Sequence, residues 1–255
     1  SSGAYIQGVV KTFENIGTIQ SGTHGINIVK QGGMIETILN NGVIEGTQGN
    51  GIAFNSGGSY NITKLTNTGT IKGANGGGGK GGILLTRVTI DTLENKGTIE
   101  YNDANSNTAA IYYTGGTISN LINESGATIQ GKGQAAGINL NFVNDNSVQV
   151  KTLNNKGIVA SENNSGIRIE NGVNVETLKN EGIIQAGTNG IEVYDYGSFN
   201  GKNINLKNLI NTGAIIAGQD GISINDNINT SHTSVKLEIG SIQNTGTINA
   251  GRYGI

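Results

Sequence analysis

One motif recurs along the whole chain and restricts its fold more than any other feature. Asn-x-Gly appears with its Gly at 17, 42, 69, 97, 157, 182, 213 and 246, and once with an extra residue, as Asn123-Glu124-Ser125-Gly126. Successive signature glycines lie 25, 27, 28, 29, 31, 25, 31 and 33 residues apart. An apolar pair spaced by three precedes each Asn, as in Val150/Leu153, Val175/Leu178 and Leu206/Leu209. Gly-Ile follows each time, at Gly25, Gly51, Gly82, Gly137, Gly166, Gly190, Gly221 and Gly254, with Ala110-Ile111 as a variant. A unit such as VETLKNEGIIQAGTNGIEV, residues 175–193, is too small to bury its own apolar side chains. It must stack on copies of itself.

Each unit reads as three short strands joined by three corners. Segments such as GTIQ, GINI and GIEV are Gly-bounded and rich in Ile, Val and Thr, which is strand character. No window carries a 3.6-residue period with helix caps. The pattern lacks the strict six-residue period of a left-handed β-helix and the L-x-x-L-x-L core of a leucine-rich repeat. The sequence therefore predicts an all-β, right-handed parallel β-helix. It has about nine turns of 25–33 residues and fills 1–255 as one domain. Inward positions include Ile26, Ile28, Leu93, Ile99, Leu153, Ile167, Leu178, Ile184, Ile191 and Ile222. Parallel strands stacked about 4.8 Å apart give a rod of roughly 40 Å.

Composition agrees. Pro, which breaks a strand ladder, is absent. Gly is 43 of 255 residues, and the reading assigns it to corners with positive φ. The apolar residue and the signature Gly are four apart in every copy but one, so this corner tolerates no insertion. Its asparagines, Asn15, Asn40, Asn67, Asn95, Asn123, Asn155, Asn180, Asn211 and Asn244, are expected to stack as an amide ladder. The copy with Leu121 and Gly126 is expected to bulge. In a neighbouring column, Lys151, Glu176 and Lys207 are expected to form a cross-strand ion ladder.

Several classes are excluded. There is no Cys, hence no disulfide framework and no thiolate metal site. A net charge of −2 gives no electrostatic footprint for nucleic acid. No run of 18 apolar residues suggests a membrane span. No signal peptide opens the sequence. Neither end looks like a polar cap, so the chain reads as a fragment of a longer array, with residues 1–3 a possible cloning remnant. GANGGGGKGG, residues 73–82, fails as a phosphate loop because Ala74 replaces the first Gly and Gly81 follows Lys80. His24 and His232 are the only histidines and neither has a partner at ligand spacing, so no metal or cofactor is implied.

The repeat, as in TLKNEGIIQAGTNGIEV and TLENKGTIE, resembles the passenger repeats of Gram-negative autotransporters and filamentous haemagglutinin-type adhesins. The resemblance covers residues 4–255 and concerns architecture. It implies a secreted or cell-surface protein, held at the outer membrane by a barrel that this chain does not contain. It also implies adhesion to a host-surface protein or glycan, or self-association between passengers. The main alternative is a polysaccharide-cleaving enzyme of pectinase-like β-helix type, which needs paired carboxylates. The outward column Asn27, Ala53, Leu84, Tyr112, Asn139, Arg168, Glu192, Ser223 holds one carboxylate, so the expectation is a non-enzymatic protein. A further alternative is a pure structural stalk.

Insertions are confined to two corners. One corner expands near 73–82 and 101–108, the other near 141–148, 194–203 and 225–234. Corner loops are where solenoids carry recognition. The second corner's later loops bring together Tyr194, Asp195, Tyr196, Phe199, Lys202, Asp226 and His232, the candidate binding patch. Tyr112, expected to point outward between Ile111 and Tyr113, joins them because Tyr gives contact area at low entropy cost.

Overall fold

The computed structural model describes residues 2–29, 34–55, 59–74, 80–105, 107–142, 147–170, 172–195, 203–226 and 236–255. Among these residues 27 strands form three parallel sheets of nine strands each, and no helix occurs. Every turn of chain gives one strand to each sheet. Ala4–Ile6, Val9–Asn15 and Thr18–Ser21 make the first rung of sheets A, B and C. Ile222–Asp226, Leu237–Asn244 and Thr247–Ala250 make the ninth. Equivalent residues lie opposite one another, as in Leu153, Leu178 and Leu209 of sheet B or Ile129, Val159 and Ile184 of sheet C. The predicted parallel β-helix is the fold.

The apolar spacing explains why the strands sit in this register. In Val148–Asn155 the inward Val148, Val150, Leu153 and Asn155 are buried while Gln149 and Lys151 are exposed. A slip by one residue would bring the exposed set inside. All ten predicted inward residues are at most 2% exposed. Each buried Ile or Leu contributes about 1.5–3 kcal/mol relative to an exposed one. The inner columns form one continuous core along the rod.

Between sheets B and C the asparagines form the expected ladder. The Nδ2 of each donates to the Oδ1 of the next: Asn15 to Asn40 at 2.8 Å, Asn40 to Asn67 at 2.7 Å, Asn67 to Asn95 at 2.8 Å and so on to Asn244. The second Nδ2 proton reaches a backbone carbonyl of the next turn, such as Ile183 from Asn155 at 3.0 Å. One corner carbonyl per turn thereby gains a side-chain donor from the turn before it.

Two local expectations are corrected. The signature glycines are not needed for positive φ. Among the described glycines, φ is positive at Gly115, Gly116, Gly126, Gly133 and Gly172, so of the signature set only the bulged Gly126 qualifies. The others, Gly17 on the first rung excepted, are needed because the turns approach too closely for a side chain. A Cβ on Gly182 would stand 2.1 Å from the carbonyl oxygen of Gly157, and one on Gly69 2.0 Å from that of Gly42. The second correction concerns charge. Lys151, Glu176 and Lys207 share a column and are exposed, yet the ion pairs among the described residues lie elsewhere. Glu94 bridges Lys64 at 3.0 Å and Lys96 at 2.9 Å, and Lys156 pairs with Glu124 at 3.0 Å. These pairs involve the corner, where one partner is held short of solvent, whereas a flat exposed column leaves long side chains hydrated.

Candidate functional site

The outer face of sheet A differs from the other two. Sheets B and C alternate buried and exposed positions, but Ala109–Thr114 and Ala136–Leu140 are buried on both sides. The outward column of this sheet is therefore covered in its central rungs. Described residues from both variable corners help to cover it. From one corner the Lys80 ammonium sits 5.3 Å from the centre of the Tyr112 ring, a cation–π geometry. From the other, the Asn141 amide donates to the Tyr112 hydroxyl at 3.2 Å. Leu84, Ala109 and Ala136 pack against the same ring. Tyr112 points outward as expected, but it is 2% exposed. Lys80 and Asn141 thus tie the described ends of two corners to the Tyr112 ring, which leaves it little exposed area of its own.

Further along the column, sheet A carries a compact charged cluster. The Arg168 guanidinium lies 3.0 Å from Glu170 Oε1 and 3.1 Å from Glu192 Oε2. Ser165 donates to Glu192 Oε2 at 2.7 Å, and the Asn139 amide approaches Glu170 Oε1 at 3.4 Å. Burial pushes the Glu170 carboxyl above the usual carboxylate range, against the opposing charge of Arg168 and the Asn139 hydrogen bond. Two carboxylates on adjacent turns, one with a raised pKa, resemble an acid/base pair in outline. Access argues otherwise. The Glu170 side chain is 4% exposed and the guanidinium stands between the two acids. Glu170 thus cannot touch a glycosidic oxygen, and the cluster straps the turns together. Sequence reading had only Glu192 in this column. Glu170 lies one residue past the strand Ile167–Ile169, where the alternation no longer says which way a side chain points.

A second carboxylate pair lies open on sheet B. Glu36 and Asp91 flank Thr63 in one column, two rungs apart, or about 10 Å at parallel-strand spacing. With Asn61, Ile62 and Thr89 they line a shallow groove of about 350 Å³.

The candidate patch is placed in part. Tyr194 and Asp195 end the strand Ile191–Asp195 and stand opposite Asn225 and Asp226 on the next rung. The two late loops of this corner therefore leave the rod side by side. Tyr194 is half-buried, and Asp195 is 2% exposed. Tyr196, Phe199, Lys202 and His232 lie outside the described residues, as does the side chain of Asp226. His24 sits in the other variable corner, where its Nδ1 accepts from the Asn50 N–H at 3.1 Å. Burial lowers its pKa, which favours the neutral ring that this acceptor role needs. Among the described residues no group of His, Cys, Asp and Glu is arranged to hold a metal ion.

No protein-family model matches the chain, and neither a curated protein nor a solved structure does.

Proposed function

We propose that the chain is a non-enzymatic binding and self-association rod of a secreted or bacterial cell-surface protein, of the autotransporter-passenger or filamentous haemagglutinin type. The observation that carries this reading is the division of labour along the rod. Core, Asn ladder and close glycine contacts hold nine rungs in one register, while all length variation but the one extra residue before Gly126 is collected at two corners. Such a scaffold presents flat faces and corner loops at fixed spacing, which suits recognition by many weak contacts. Its partner is a host-surface protein or glycan, or another copy of the chain. The late loops beyond Tyr194 and Asp226 are the proposed contact edge for the former. The right-handed coil is part of the same proposal, since parallel crossovers take that hand almost without exception.

The test is a cell-binding assay with the wild-type chain and with a variant in which 194–203 and 225–234 are replaced by short corners like 186–190. Binding that drops in the variant while the far-ultraviolet spectrum is unchanged supports the reading. Binding at full strength refutes the contact edge.

A second reading rests on the sheet B groove. Glu36 and Asp91 line this groove two rungs apart, a backbone spacing of about 10 Å, just above the carboxyl separation of about 6.5–9.5 Å used by inverting glycosidases. Incubation with a panel of acidic and neutral polysaccharides decides it. Turnover that disappears in both Glu36→Gln and Asp91→Asn would make the protein an enzyme.

A further inference from the structure

The outer face of sheet C changes character along the rod. Each strand presents two outward residues at equivalent positions, to which the longer strands Thr98–Asp103 and Thr128–Gly133 add Asn102 and Lys132. In rungs one to five the equivalent pairs are Thr18/Gln20, Val43/Glu45, Thr70/Lys72, Thr98/Glu100 and Thr128/Gln130. Rungs six to eight present Ile158/Ala160, Ile183/Gln185 and Ala214/Ile216. Rung nine returns to Thr247/Asn249. Ile158 and Ile183 are 37% exposed and Ile216 is 41% exposed, although Ile is ordinarily among the most buried residue types. At Ala160 the column of long side chains is interrupted. The gap is a slot of about 220 Å³ between Gln130 and Gln185, with Ser161, Glu162, Ala186 and Gly187 at its edge.

The order of large and small residues on this face is self-complementary. Consider a second copy laid face to face with its rod reversed, on a two-fold axis running along the strand at rung seven. Strand position is conserved and rung order is inverted. Ile158 then faces Ala214 of the second copy, and Ala160 faces Ile216 of the second copy. The Ile216 side chain enters the slot at Ala160, twice by symmetry. Ile183 meets Ile183, and Gln185 meets Gln185 amide to amide. Rung five meets rung nine, which sets Thr128 on Thr247 and Gln130 on Asn249. Apolar residues meet apolar ones, and polar ones meet polar ones, across five rungs. The charged residues Glu45, Lys72 and Glu100 fall outside the overlap, while Lys132, paired with Glu100 at 2.8 Å, and Glu162 lie at its margin. With the rods parallel, on a two-fold along the rod, the two columns change places at each rung: Ile158 meets Ala160 and Ile216 meets Ala214, but Ile183 is set against Gln185, and Glu45, Lys72 and Glu100 are drawn into the contact.

We infer that sheet C is a copy-to-copy interface, in which two chains pack antiparallel through rungs five to nine with Ile216 of each seated against Ala160 of the other. The inference deepens the self-association part of the proposed function and rests on it. The contact is about 24 Å along the rod and about 10 Å across it by strand geometry. That is small against the 1,200–2,000 Å² of a stable interface, so a single pair is transient. Strength comes from many copies acting together between two surfaces.

The experiment is a charge exchange. Ala160→Glu and Ile216→Lys each place an unpaired charge in the contact. The wild-type chain is expected to sediment faster as its concentration rises, and each single variant to stay monomeric. Mixing the two variants in equal amounts restores association, because Glu at 160 of one faces Lys at 216 of the other. The double variant associates as well. Far-ultraviolet spectra of all four stay alike, since only outward positions change. Amide exchange on the wild type gives a check without mutation: raising its concentration slows exchange in rungs six to eight of sheet C and leaves rungs one to three unchanged. A wild type that stays monomeric with concentration-independent exchange overturns the inference, and so does a mixture that stays monomeric. If the wild type is monomeric yet still binds cells, this interface falls and the binding function stands.

Discussion

Replacing Asn155 by Ala tests how much of the rod's stability lies in the amide ladder. Asn155 is fully buried. It accepts from Asn123 at 2.8 Å and donates to Asn180 Oδ1 at 2.8 Å and to the Ile183 carbonyl at 3.0 Å. The substitution removes three hydrogen bonds, worth about 1 kcal/mol each. It also leaves a buried Asn123 donor and a buried Asn180 acceptor without this partner, with a further cost of about 1–3 kcal/mol. The expected loss is therefore about 4–6 kcal/mol, concentrated on the rungs beside it because a solenoid couples nearest neighbours. Asn244 is the internal control. It accepts from Asn211 at 2.7 Å on an exposed terminal rung, where water replaces what is lost, so Asn244→Ala costs at most about 1 kcal/mol. Urea unfolding followed by circular dichroism measures both, and amide exchange locates the loss. If the two variants agree within about 0.5 kcal/mol, the ladder contributes nothing beyond the stacking of the strands, and the reasoning fails.

Further outcomes follow from the same geometry. Gly182→Ala strongly destabilises the chain, whereas Gly17→Ala, at the same repeat position but with nothing within 4 Å of its Cβ, is tolerated; thermal unfolding compares them. Leu178→Asp buries an unpaired charge in the core and unfolds the turns around it, seen as lost amide protection over rungs six to eight. Lys96 and Lys64 hold the Glu94 carboxylate below its usual pKa. This stabilisation is present above the unfolded carboxylate pKa and is lost as pH falls through the folded one. Glu94→Gln should therefore flatten stability against pH below about 4.5 and leave the chain less stable than wild type at neutral pH. Tyr112→Ala frees the corner held by Lys80 and Asn141, detected as faster amide exchange at 80–82 and 141–142 with little change in sheet B.

Most of the architecture is legible in the sequence because the repeat states it nine times. Val175, Leu178, Asn180 and Ile184 each sit where their periodicity requires, and the asparagines can be laddered only if the strands are parallel and in register. The departures share a cause. Arg168, Tyr112 and Asn139 occupy an outward column that the repeat marks as solvent-facing, yet corner residues from other turns cover them. Burial that comes from an insertion leaves no period in the strand beneath it. The signature glycines were legible as essential but not for the right reason, because contact between turns 25 or more residues apart looks the same in sequence as a positive φ. The apolar face of sheet C was in plain view as Ile158, Ile183 and Ile216. Its alternation with buried Val159, Ile184 and Ile215 hid it inside continuous apolar runs.

The central claim is that this rod binds and does not catalyse. Beads coated with the chain test it most directly, when mixed with target cells and, separately, with one another. The account predicts adhesion to cells that weakens when the late corner loops are shortened, and bead clustering that the Ala160→Glu variant abolishes. Beads that neither adhere nor cluster, carrying a chain that shortens a polysaccharide in the same buffer, would contradict it.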